Sequence, residues 1–184
     1  MGIRVASAAL ILVALVGCRS LVGSVVEFKP DYAEVPEAAL REIAAEIEAA
    51  VQAGNREPNI ADRGGIVISS DEVKQAIRTR AARSELINNF LDTGHSWERQ
   101  DGLIWVIRSS DYKKAGTSRD RDRNALLIDG ENANRWALYE GIVKDSNLAP
   151  GALSAVRAIF AEARVANMKS GQKYESAPDQ VSVK

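Results

Sequence analysis

Apolar residues recur at intervals of three and four along most of the chain, and that spacing predicts four helices. Between Pro36 and Gly54 the recurring positions are Leu40, Ile43, Ala44, Ile47 and Val51, with Pro36 placed to open the helix and Gly54 to close it. Glu37 and Arg41, one turn apart, pair on its polar side. A second stripe of Val73, Ala76, Ile77, Ile87, Phe90 and Leu91 predicts a helix that ends near Asp92, ahead of Gly94. Ser69 and Glu72 fit a capping box at its start, and Arg80 and Arg83 interrupt its apolar side. A third helix is expected over about Arg121 to Asp145, despite Gly130. A fourth runs from Pro150 to about Lys169, carries Leu153, Val156, Ile159, Phe160 and Ala163, and is ended by Gly171.

Elsewhere the period changes. Leu103 to Ile107 is rich in β-forming residues and follows Asp101-Gly102, which predicts one small hairpin. Gly54 to Gly65 is a loop by its Gly, Pro, Asn and Asp content, and Ile66 to Ile68 reads as a short strand. Residues 111–124, "DYKKAGTSRDRDRN", read as a charged linker whose RDRDR run is a solvated surface. The tail, 172–184, is expected to be disordered. The fold class is therefore mainly α, four main helices with one small β-hairpin, in one helical domain over residues 36–171.

The N-terminus follows neither pattern. One positive charge at Arg4 precedes the uncharged run "VASAALILVALVG", which is the layout of a secretory signal peptide over residues 1–17. A dozen apolar residues are too few to span a bilayer, which takes roughly 20. Leu15-Val16-Gly17-Cys18 resembles the bacterial lipobox, so Cys18 is expected to carry fatty acyl chains such as palmitate and to become the first mature residue. Two or three such chains hold a protein to a membrane where one does so only marginally. Residues 18–35 then form a tether. Arg19, where an aspartate would retain the protein in the inner membrane, favours the outer membrane. The expected location is the bacterial cell envelope, lipid-anchored and facing the periplasm.

Cys18 is the only cysteine, so disulfides and thiol chemistry are not expected in the mature chain. That chain has 23 basic and 25 acidic side chains, a net charge of -2 that makes no electrostatic case for nucleic acid. His95, the single histidine, falls in a turn between Gly94 and Ser96 and reads as an exposed loop residue. There is no HExxH, Walker loop, GxSxG elbow or cysteine cluster, and no catalytic residue, metal or cofactor is assigned.

The third helix carries an unusual face. Asn132, Arg135, Tyr139 and Ile142 are spaced by three, four and three and share one stripe. Two arrangements fit it. In one, Arg135 lies along the core, held by Glu98 or Glu131, while Tyr139 packs its ring and bonds at its tip. In the other, the stripe with Glu98 is a partner-binding surface.

These residues also carry a resemblance. Residues 131–174, from "ENANRWALYEG" to "SGQKY", resemble the C-terminal half of the YdbL-like family, a domain of unknown function in bacterial envelope proteins. Its Glu-Asn-x-Asp-Arg run, the Tyr one turn later and the closing Gly with a nearby aromatic fall on Glu131, Asn132, Arg135, Tyr139, Gly171 and Tyr174. Upstream, Arg80, Arg83, Gly94, Glu98 and Gly102 fit the family's first half. The resemblance spans about Ala76 to Tyr174. Asn134 stands where the family has Asp, Trp97 where it has Gly, the closing Gly-x-Trp is missing, and the helix from Pro36 to Ala53 is an addition. What the resemblance implies is a chaperone-like accessory of AsmA-like proteins that bridge the two membranes for lipid transport.

Three functions are thus expected to compete. The first is a lipid-anchored, non-enzymatic envelope accessory with an envelope protein partner. The second is a structural lipoprotein attached to the cell wall. The third is a carboxylate glycan hydrolase with Glu98 as acid beside an aromatic subsite at Trp97 and Trp105.

Overall fold

A computed structural model describes residues 28–184. The signal peptide, the lipobox with Cys18, and the tether as far as residue 27 lie outside the described residues.

The four long helices stand close to where the apolar spacing puts them: α1 (Glu37–Gln52), α2 (Asp71–Asp92), α4 (Ser118–Asp145) and α5 (Ala152–Asn167). A short α3 (Ser110–Lys114) occupies part of the expected linker, because Ser109 caps it and Tyr112 is buried. Helix α4 also begins within that linker. Thr117 and Asp120 form a reciprocal capping box there. At α2 the cap is Ser70 rather than Ser69, since the Ser69 hydroxyl donates to Asp62 at 2.7 Å and is not free for the helix.

The β-structure departs most from expectation. The strands β1 (Ser96–Glu98), β2 (Ile104–Val106), β3 (Lys173–Ala177) and β4 (Gln180–Val183) form one four-stranded sheet in the order β2-β1-β3-β4. The pair β1/β2 is the expected hairpin, but β1 and β3 are parallel and β3 and β4 antiparallel. The tail is therefore strand and not disordered. Its two strands pair with each other and extend the first hairpin, which supplies the backbone partners that a polar 13-residue tail lacks alone. Ile66 to Ile68 is not a strand. Asp62 Oδ1 accepts from the Ile68 amide and Ser146 Oγ from that of Val67, both at 2.8 Å, while Ile66 is buried.

Two apolar clusters form the interior. The larger joins Leu40, Ile43 and Ile47 of α1 to Val73 and Ile77 of α2, Leu138 and Ile142 of α4, and Ile159 and Phe160 of α5. The smaller joins Ile87, Phe90 and Leu91 to Ile104, Tyr112 and Ile128. The described part of the expected tether is docked: the Asp31 amide donates to Ser154 Oγ at 2.8 Å, and Tyr32 and Val35 pack on the larger cluster. Among the described residues no helix is long and apolar enough to cross a membrane.

Candidate functional site

Along α2, Arg80 falls between the residues that join the larger cluster and those that join the smaller. Along α4, Glu131 and Arg135 fall in the same gap. At that level three arginines and three glutamates close a ring of alternating charge. Arg80 donates through Nη1 and Nη2 to Glu48, both at 2.9 Å, and through Nε to Glu131 at 3.0 Å. Arg135 donates through Nε to the same Glu131 oxygen at 2.8 Å, and to both oxygens of Glu98 at 2.6 and 2.8 Å. Arg164 completes the circuit, with bonds of 3.1 Å to Glu98 and 3.1 Å to Glu48. Helices α1, α2, α4 and α5 and strand β1 each contribute at least one member.

The hairpin turn enters the same site. Gly102, at φ +83°, turns its carbonyl inward to accept from Tyr139 Oη at 2.9 Å, Arg164 Nη2 at 2.8 Å and Arg135 Nη1 at 3.4 Å. A Cβ on Gly102 would stand 2.9 Å from the Arg157 carbonyl, so only glycine fits without displacement.

Electrostatics follow from this geometry. Burial alone would raise the Glu98 pKa, but the guanidinium groups of Arg135 and Arg164 outweigh it and hold it at about 2. Glu131 is lowered in the same way, against burial, by Arg80 and Arg135. Burial works to lower the pKa of Arg80 and Arg135, and the facing carboxylates raise both above the ordinary value. Glu98 and Glu131 are thus held as carboxylates against Arg80 and Arg135. Glu131 Oε2 has no protein partner and lies by a cavity of about 40 Å³, the size of a single water site.

Three of the four residues singled out on sequence grounds meet here. Glu98, Arg135 and Tyr139 are 2%, 1% and 0% exposed, so no partner can touch them in the folded protein. Of the two arrangements open from sequence, this is the buried one, and it takes both candidate carboxylates. The fourth, Asn132, sits at the sheet edge. Its side-chain amide donates to the Ile104 carbonyl and accepts from the Ile104 amide, each at 3.0 Å, and so closes the outer edge of β2.

Sequence reasoning missed Glu48 and Arg164 and read Arg80 as an interruption. The available signal was a charge inside an apolar stripe. Glu48 follows Ile47 one turn after Ala44, and Arg164 lies one turn beyond Phe160. His95 differs from expectation as well: it is half-buried, its ring 5.4 Å from that of Tyr112.

The arrangement of Glu98 beside Trp97 and Trp105 is not formed. Glu98 faces the ring, whereas Trp97 and its cross-strand partner Trp105 project from the other side of the hairpin. A carboxyl held ionised by two arginines also cannot donate a proton near neutral pH. Among the described residues no group of His, Cys, Asp or Glu could hold a metal ion. Compared with protein-family models, curated proteins and solved structures, the chain matches none.

Proposed function

We propose that the protein is a lipid-anchored component of the bacterial cell envelope that acts without catalysis, as a chaperone-like or scaffolding accessory to an envelope partner of the AsmA-like kind. The observation that carries the reading is the N-terminal sequence: a basic residue, a dozen apolar positions and Leu-Val-Gly-Cys, with Cys18 the sole thiol. The resemblance to the YdbL-like family supports it. So does the commitment of Glu98, Arg135 and Tyr139 to one buried network, because the carboxylate offered by the hydrolase reading is thereby taken up in holding the fold. Partner contact must then come from other, exposed surfaces.

The test has two stages. Growth with a clickable palmitate analogue should label the wild-type chain and leave Cys18→Ser unlabelled and displaced from the membrane fraction. An unlabelled wild type, soluble after cell disruption, overturns the anchor. Affinity purification from detergent-solubilised envelope with mass spectrometry should then recover an AsmA-like or small lipoprotein partner. Recovery of peptidoglycan-bound material alone moves the reading to a structural, wall-associated lipoprotein.

A further inference from the structure

The sheet packs one side against the helices. Ser96, Glu98 and Ile104 turn toward the helices and are 0%, 2% and 0% exposed. The strand register puts Trp105, Trp97, Lys173 and Val183 in one row across all four strands on the opposite side, and Val181 shares that side. Trp105, Val181 and Val183 are 50%, 45% and 61% exposed, which makes them three of the five large apolar side chains left in solvent among the described residues. Gathered on one sheet face, they make a patch of the kind that marks a contact surface.

Three cations border this patch. The Arg99 guanidinium lies 4.6 Å over the Trp105 ring, Lys173 donates from Nζ to the Gly94 carbonyl, and exposed Lys184 follows Val183. The acid on this side, Glu175, is 7% exposed, accepts from the amides of Gln100 and Asp179 and pairs with Arg99 at 3.5 Å, and Asp101 pairs with the same guanidinium at 3.4 Å.

We propose that this sheet face lies on a lipid bilayer, with Trp97 and Trp105 at headgroup level and Val181 and Val183 against the acyl boundary. Amphipathic rings favour that depth, and cations at the border keep their charge among the headgroups while their stems cover apolar surface. The inference rests on the lipid-anchored reading and adds an orientation to it.

Two observations select a bilayer over other occupants. Phe28, Arg99 and Lys184 line a common cleft, so the described chain enters beside this sheet. Cys18 lies only 10 residues before Phe28, a reach of at most about 35 Å when fully extended. An anchored protein therefore keeps the sheet near the membrane. Arg99 also already occupies the space over the Trp105 ring, where a stacked sugar would sit, and a glycan would have to displace it.

The test uses the full-length lipidated chain carrying Trp136→Phe, which leaves Trp97 and Trp105 as the only tryptophans. It is reconstituted into phosphatidylcholine–phosphatidylglycerol vesicles with or without bromine on the acyl chains near the interface. Emission should lose most of its intensity in the brominated vesicles. Val181→Glu/Val183→Glu, at exposed positions with unchanged circular dichroism, should restore it while the protein still floats with the vesicles. A chain that floats and emits equally in both vesicle types overturns the proposal and leaves the anchor standing. A chain that does not float removes the anchor instead. Adding that soluble chain to the same brominated vesicles then decides the face, quenching supporting it and unchanged emission overturning it. Emission that responds to isolated glycan strands and not to vesicles overturns it in favour of the cell wall.

Discussion

Glu98 and Gly102 show what single positions contribute to the ring. Glu98 accepts from two arginines, so Glu98→Gln leaves Arg135 and Arg164 facing a neutral amide in a buried site. Breaking a buried pair in this way costs about 3–5 kcal/mol, and urea denaturation at neutral pH should read that loss. Acidity provides a second check. The folded Glu98 has a pKa of about 2 against an ordinary value of 4.5, so as pH falls the unfolded chain binds the proton first. The stabilisation is complete above the ordinary value and drains away between there and pH 2. Glu131, also lowered, acts in the same direction. Melting temperature should therefore fall steeply over that interval in the wild type and less steeply in Glu98→Gln. At Gly102, Gly102→Ala meets both the positive φ and the Arg157 carbonyl, and should cost about 2 kcal/mol or more. Equal stability would mean that the turn can move its carbonyl out of the ring.

Helix α4 works as the spine because it meets α2 closely. A Cβ at Gly141 would stand 2.8 Å from Val73 Cγ2, so Gly141→Ala should lose about 1–3 kcal/mol by overpacking despite the better helix propensity of alanine. Val73→Ala in the same chain makes the room and should recover part of that loss. Additive costs in a double-mutant cycle would refute the contact. The same helix shows which elements could be read from the sequence. Helices α1 and α5 were legible because a mainly apolar stripe repeats along each. Helix α4 was legible in extent, but its buried side includes Glu131, Arg135 and Gly141 as well as Leu138 and Ile142, so its inward face did not stand out. Strand β3 escaped because its partner β1 lies about 75 residues upstream and no local pattern encodes a parallel neighbour, and β4 pairs only with β3. The ring itself was half visible. Arg135 asked for a carboxylate and two were named, whereas Glu48 and Arg164 come from helices whose stripes looked complete without them.

Taken whole, the ring sits between two apolar clusters and joins every long helix to the sheet, and each member has two opposite neighbours. That closure predicts how its parts couple. Arg80 and Arg164 do not bond to each other; both donate to Glu48. With Arg80→Met alone, Glu48 keeps Arg164, and with Arg164→Met alone it keeps Arg80. The double variant leaves this buried side chain, 3% exposed in the native fold, with no cation, and an uncompensated buried carboxylate costs several kcal/mol. The two substitutions together should therefore destabilise by more than the sum of the singles at neutral pH. Adding Glu48→Met to the double variant removes the stranded charge and should raise stability, although it deletes one more native side chain. Denaturant melts of the four chains and the triple variant measure this directly. Additive singles with a further loss on Glu48→Met would show a set of independent pairs, and the ring would then be a description of geometry with no energetic unity.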